Sequence, residues 1–175
     1  MRRDPVIRAS GPSDLPTLET LYPAAFPDGD LLPLVRQLAG GRHDVISLVA
    51  EIEGAVAAHL ALTVCGLEGH TKRVALLGPA AVAPDRQHQG IGEAMIRLGL
   101  DRMRRDGFAK LMVLGDPAYY GRFGFEPDEQ VIPPYPLPEE WRTAWQSRAL
   151  SPEGAAAAGQ LIVPEQWRPR DLWLP

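Results

Sequence analysis

Residues 82 to 92 read Val-Ala-Pro-Asp-Arg-Gln-His-Gln-Gly-Ile-Gly, a run whose residue types suit it to holding an anion. Gly90 and Gly92 lack Cβ atoms, so the backbone can turn sharply, aim its N–H groups at one point and admit a ligand closely. Glu93 to Arg105 has the texture of a helix, whose positive dipole end would sit behind the same anion. A Gly-x-Gly at a helix start is also a common tight turn, so the surrounding elements have to decide between the two readings.

Those elements begin with a short strand over Val6 to Ala9. Ser13 is placed to cap a helix running to about Tyr22, since Ser-Asp-Leu-Pro supplies a capping oxygen, early negative charge and an early-turn proline. Asp30 to Leu38 reads as a second helix. Val45 to Glu53 and Ala55 to Cys65 read as a hairpin turning at Gly54. In its second strand Val56, Ala58, Leu60, Leu62 and Val64 share one face, and Ala57, His59, Ala61, Thr63 and Cys65 the other. Both faces are mostly apolar, so both are expected to be covered. A further strand spans Arg73 to Ala83, interrupted at Gly78-Pro79, where proline cannot donate to a ladder and a bulge or splay is expected. Helix 90 to 106 carries Ile91, Met95, Leu98 and Ile96, Leu100, Met103 as a broad apolar stripe, with Arg102, Arg104 and Arg105 near its negative end and Gly107 as its stop. Lys110 to Leu114 is a short apolar strand that completes a βαβ unit with parallel pairing. Pro117 starts a short helix. After Phe125 prolines crowd the chain, all four tryptophans (Trp141, Trp145, Trp167, Trp173) follow, and Ala155 to Val163 reads as a last strand.

The chain has 175 residues, 45% of them hydrophobic, which fits one packed domain over 1–175; the final third would be marginal alone and is expected to complete the same sheet. A net charge of −4 with both signs mixed gives no general pull toward nucleic acid or acidic membranes, so any anion site is local. Cys65 is the only cysteine, so no intrachain disulfide forms, the ligands of a structural zinc site are missing, and a reducing cytoplasm suits the chain. Met1-Arg2-Arg3-Asp4-Pro5 leads into no long apolar run, and neither export nor membrane insertion is expected.

Gln87-x-x-Gly90-x-Gly92 after Val82-Ala83-Pro84 resembles the acyl-CoA pyrophosphate loop of the GNAT superfamily of N-acetyltransferases. Tyr120-Gly121-Arg122-Phe123-Gly124-Phe125 resembles that family's second signature. Leu77-Gly78-Pro79, Gly115-Asp116-Pro117 and the Gly54 hairpin with His59 are similar to one bacterial branch of predicted acetyltransferases. The likeness covers about residues 5 to 125 strongly and the tail weakly. It implies an α/β (α+β) fold with a mixed, mostly antiparallel central sheet of about six to seven strands, a βαβ core, helices on both faces and strands splayed at the acyl-CoA site.

The resemblance also implies roles. Acetyl-CoA is the expected cosubstrate, with its pyrophosphate on the loop from Arg86 through Gln87, His88, Gln89, Gly90 and Ile91 to Gly92. Free backbone groups of Val82 and Ala83 would pair with the pantetheine amides as an added strand does, and Arg122 would reach a phosphate. Tyr120 would donate a proton to the departing thiolate. Many relatives carry a base on the strand before the loop, yet Arg73 to Ala83 contains no carboxylate. Asp116, His59, His70 and Glu68 remain as bases, beside a water chain or a backbone carbonyl. Each has a plainer reading: Tyr120 as a packed aromatic, His59 as a hydrogen-bonded core histidine, Asp116 as a helix cap, the tryptophans as core rather than acceptor pocket. The expected function is acetyl transfer to a primary amine by direct attack, with no metal, no nucleic acid or membrane partner and a homodimer permitted. The alternative is a non-catalytic acyl-CoA or nucleotide-binding module of the same fold. A dinucleotide-dependent oxidoreductase fits less well, because Gly-x-Gly-x-x-Gly fails at Ala94-Met95.

Overall fold

The computed structural model describes residues 4–174; the Met1-Arg2-Arg3 part of the N-terminal reading and Pro175 lie outside them. Two compact units divide the chain, one running to Leu62 and resuming over Gly78–Leu98, the other taking Thr63–Leu77 and the chain from Gly99 onward.

In the first unit, strand β1 (Val6–Ala9) pairs antiparallel with β2 (Val45–Ile52), Val6 opposite Glu51 and Ala9 opposite Leu48. Next in order come β3 (Ala55–Leu67) and β4 (Val74–Val82), each of which runs through both units. The β2–β3 turn is Glu53-Gly54, with φ of 54° and 81°. Two successive positive φ values are what a two-residue hairpin needs to match strand twist. Helix α1 covers Leu15–Ala25 and α2 Leu32–Leu38. Ser13 is not the cap expected of it, because Pro12–Asp14 forms a tight 3-10 turn and α1 begins only at Leu15. Asp14 holds this entry instead, accepting the Gly11 N–H at 2.7 Å and two bonds from Arg8 at 2.8 Å. The Arg8 guanidinium draws the Asp14 carboxyl down to about 2. At its other end α1 passes Pro23 to reach Ala25, and α2 starts at Leu32, two residues after the Asp30 start expected of it. Leu18, Leu21, Tyr22, Val35, Val49 and Ala81 pack into one core.

The second unit orders its strands β3-β4-β5 (Lys110–Leu114), followed by β8 (Trp145–Ala149) and β6 (Glu126–Pro127). Strand β7 (Val131–Ile132) pairs parallel with β9 (Gly159–Ile162), which pairs antiparallel with the end of β3. The βαβ expectation holds: β4 and β5 are parallel, joined through α3 (Ile91–Arg105). Their ladder runs from Ala75↔Leu111 to Leu77↔Val113 and stops ahead of Gly78-Pro79, where the sequence places a splay. Among the described residues nine strands form the sheet, against the six to seven expected; the surplus comes from β6 and β7, two residues each.

The tail joins the sheet through β8, antiparallel to β5 with Lys110 opposite Ala149 and Leu114 opposite Trp145. The expected strand from Ala155 is shorter, because Glu153–Ala156 coils into a 3-10 turn and only Gly159–Ile162 is extended. Trp145, Trp167 and Trp173 are core residues, the Trp173 ring centroid lying 5.8 Å from that of Trp145 and 6.0 Å from that of Trp167. Their indole N–H groups are satisfied by Val131 O, Thr63 Oγ1 and Trp167 O, which is what burying them requires. On α3 the apolar stripe is buried except at Leu98, which is 37% exposed. Arg102 and Arg104 form ion pairs with Asp106 and Asp101 at that helix's solvated end.

Candidate functional site

The loop after β4 lies in the first unit. A 3-10 turn over Pro84–Arg86 follows Ala83, the chain becomes extended at Gln87, and then His88 and Gly90 take φ of 60° and 85°. Left-handed residues at alternate positions fold the backbone into a concave arc, and His88 adopts without glycine's freedom a conformation that costs a side chain energy. Ala94 N–H donates to Gly90 O at 3.0 Å, so the Gly90 carbonyl takes the first bond of α3, which starts at Ile91, and the N–H groups of its first turn have no intrahelical partner. Gln87, His88, Gln89 and Gly90 are exposed, Arg86 and Gly92 half-buried and Ile91 buried. Two side chains brace the arc, Gln87 Nε2 donating to Val82 O at 3.2 Å and Gln89 Nε2 to Asp85 O at 3.2 Å.

One expectation at the strand end needs correction. The Ala83 N–H is not free, because it donates to Ala57 O at 2.8 Å. Backbone groups alternate between the two edges of a strand, so Val82 is the residue whose N–H and carbonyl face the edge away from Ala57.

His59, in the same unit, is 1% exposed on β3. Its Nδ1 lies 2.6 Å from Tyr22 Oη and its Nε2 2.7 Å from Ser47 Oγ. Ser10 Oγ then donates to Ser47 Oγ at 2.6 Å. Burial pushes the imidazole down to about 4, with Asp14 a smaller opposing influence. A neutral imidazole with both nitrogens engaged has neither the open lone pair nor the basicity to take a proton from an ammonium group.

A pH dependence follows. The unfolded chain takes up this proton near pH 6.5 and the folded protein only near 4, so between those values the unfolded state binds more protons and stability falls as pH falls. The full loss is about 3 kcal/mol. Urea denaturation at pH 7 and 4.5 is expected to show most of that difference, and His59→Gln to flatten it. An equal slope in both proteins would contradict a neutral buried His59.

In the second unit β5 ends at Leu114, Gly115 follows, and Asp116 caps α4 (Pro117–Tyr120) by accepting the Ala118 N–H at 2.9 Å. Tyr120 closes this single turn. Its ring meets Tyr119 and Phe125 edge-on, with centroids 5.0 and 5.7 Å away. Tyr120 is half-buried, and desolvation, with Tyr119 adding to it, pushes the phenol up to about 12. No described residue hydrogen-bonds its hydroxyl. Arg122 is exposed, its guanidinium 4.7 Å above the Tyr119 ring and 5.5 Å from that of Phe123. Glu68 and His70 stand exposed at the turn after β3.

The sequence reading missed the buried polar network of this unit. Lys110 Nζ lies 2.7 Å from Asp128 Oδ2, with side chains 3% and 4% exposed, and donates also to Ala157 O at 2.9 Å. Eighteen residues separate the pair, and no local pattern connects them. Among the described residues no cluster of three or more His, Cys, Asp or Glu could hold a metal ion, and no helix is long and apolar enough to cross a membrane.

The acetyltransferase (GNAT) family model matches residues 15–125. The Escherichia coli K12 protein described as uncharacterized N-acetyltransferase YjhQ is 31% identical over 157 residues, 87% of this chain and 86% of that protein. Uncharacterized N-acetyltransferase YhbS of the same strain is 32% identical over 69% of this chain and 73% of its own length. The crystal structure of E. coli YhbS in complex with CoA superposes with a TM-score of 0.83 at 26% identity, covering 95% of this chain and 93% of that one. A Brucella melitensis GNAT family acetyltransferase in complex with acetyl-CoA gives 0.75 at 29% identity, covering 95% and 99%. With the parallel β4–β5 pair, the glycine arc at the head of α3 and the tyrosine turn after β5 all present, the chain belongs to the GNAT family of acetyltransferases.

Proposed function

We propose that the chain is one N-acetyltransferase domain, working in the cytoplasm, that moves an acetyl group from acetyl-CoA to a primary amine by direct attack. The observation that carries this reading is the arc from Ala83 to Gly90, with His88 and Gly90 both left-handed ahead of an α-helix of fifteen residues. Such an arc suits a pyrophosphate, and the CoA and acetyl-CoA complexes of the two solved relatives support that donor.

In this reading the N–H groups from Gln87 to Gly92 hold the pyrophosphate, with Arg86 adding positive charge and His88 and Gln89 shaping the arc. Val82 pairs with a pantetheine amide once its carbonyl is shared with or released by Gln87. Arg122, exposed and pinned on the Tyr119 ring, reaches a phosphate. Tyr120 donates to the sulfur as the thioester opens. An alkylammonium acceptor has a pKa of about 10 and must lose a proton first. Neutral, doubly bonded His59 is poorly suited to taking it directly, which favours Asp116 or a water chain.

The absence of any carboxylate on β4 favours a second reading, a non-catalytic acyl-CoA-binding module. Calorimetry with acetyl-CoA followed by thiol release over a panel of amines separates the two. Binding with release for at least one amine is expected. Binding without release for any amine selects the module, and no binding removes both.

A further inference from the structure

Gln146 is 1% exposed on β8, a polar side chain inside the sheet. Its Nε2 donates to Gly115 O at 3.0 Å and Ala144 O at 3.3 Å, while its Oε1 is buried without a hydrogen-bond partner among the described residues. Two acceptors on one side fix the amide's orientation, since the flipped amide would set oxygen against oxygen. A buried oxygen without a partner opposes folding, so the two bonds are held at a local expense in stability. They fasten Gly115, whose own N–H donates to Ala144 O at 3.0 Å. Both polar groups of that residue are thereby tied to the start of β8, at the point where β5 leaves the sheet.

Gly115 lies against the Tyr120 ring. A Cβ built there would overlap Tyr120 Cε2 and stand 2.9 Å from Cδ2. The Cδ2–Cε2 side of the ring lies against backbone that carries no Cβ, and its place depends on where that backbone is held. Tyr120 N–H donates to Asp116 O at 3.0 Å, so one residue after the clamped glycine the chain already carries the turn that launches the tyrosine.

We infer that Gln146 is a positioning residue for Tyr120, setting the phenol's place by clamping Gly115 beneath its ring. The inference rests on the reading of Tyr120 as the proton donor. It assigns Gln146 no contact with acetyl-CoA.

A double-variant cycle on thiol release tests it, using acetyl-CoA and the amine that gives the highest rate in the panel. Gln146→Met keeps the length and drops the two donor bonds. It is expected to lower kcat about tenfold with the KM for acetyl-CoA within about twofold, the loss that a small misplacement of a reacting group produces. On a Tyr120→Phe background the same substitution is expected to change kcat less than twofold, because the group it positions is gone. Equal losses on both backgrounds, or none on the first, overturn the inference and leave the Tyr120 reading standing. A Tyr120→Phe enzyme with unchanged kcat overturns that reading and this one with it.

A readout independent of turnover is the ring resonance of Tyr120 in tyrosine-labelled protein, identified by its loss in Tyr120→Phe. Gln146→Met, or Gln146→Glu should the first variant fail to fold, is expected to move that resonance and leave Tyr135 in place. An unmoved Tyr120 signal counts against the clamp even where no amine is turned over.

Discussion

Tyr120→Phe is expected to lower the rate of thiol release about a hundredfold while leaving the dissociation constant of acetyl-CoA within about twofold. The substitution removes one oxygen and keeps the ring that packs edge-on against Tyr119 and Phe125, so the fold and the donor site stay intact. What disappears is the hydroxyl proposed to protonate the sulfur. The phenol's raised pKa of about 12 shapes how it acts. Full transfer to a thiolate of pKa about 8.5 is uphill by about 5 kcal/mol, so in the proposed role the hydroxyl would act by hydrogen-bonding to charge developing on sulfur rather than by giving up its proton outright. That places the effect at the low end of what general acids contribute. It also fixes the sign of a pH effect: the donor is present at all pH values below about 12 and lost only above, so kcat should show no falling limb assignable to this group up to pH 10. A variant as fast as the parent, or one whose loss appears wholly in acetyl-CoA affinity, rules out the assignment.

Much of the frame that carries this tyrosine can be read directly along the chain. Val45 to Cys65 announces a hairpin because β-branched and small apolar residues flank Glu53-Gly54, and that turn does take two positive φ values. Ile91, Met95, Leu100 and Met103 repeat at helical spacing, and Gly107 ends the helix with φ of 80°. Such signals are local: a period, a cap, a residue without a Cβ. Strand β8 sends no such signal. Trp-Gln-Ser-Arg-Ala has no clean alternation, because Gln146 is buried while bonding two carbonyls and its half-buried neighbour Ser147 bonds Asp128 at 2.6 Å. Partners distant in sequence decide which of these polar residues face inward. Leu98 illustrates the converse, an apolar residue at stripe spacing that is left 37% exposed. The candidate residues divide in the same way. The loop and the tyrosine motif are spelled out by glycines and spacing, whereas the engagement of His59 by Tyr22 and Ser47 and the bond from Gln146 to Gly115 are tertiary facts.

Lys110 shows what such a tertiary fact is worth. Asp128→Ala is expected to destabilise the protein by about 3–5 kcal/mol, because it strands a buried ammonium. The carboxylate accepts Lys110 Nζ at 2.7 Å and Ser147 Oγ at 2.6 Å through Oδ2, and the N–H groups of Gln130 and Val131 at 2.8 and 2.9 Å through Oδ1. Lys110→Met should cost less, since the remaining carboxylate keeps three donors while the ammonium left by Asp128→Ala keeps only Ala157 O and Gln130 Oε1. A cavity of about 340 Å³ borders both residues, so water can relieve part of either loss and the lower half of the range is expected. The pH dependence has a definite sign. Burial alone would raise the Asp128 pKa, but the bonds from Lys110, Ser147 and Val131 outweigh it and hold the carboxyl below its usual 3.8. Stability from the pair is therefore complete above pH 3.8 and lost as pH falls below it, a window separate from that of His59. Urea midpoints for the two single variants and the double variant at pH 7 decide the matter: the double variant should lose less than the sum of the singles by at least 1 kcal/mol. Strict additivity would mean the two side chains are neighbours without being partners.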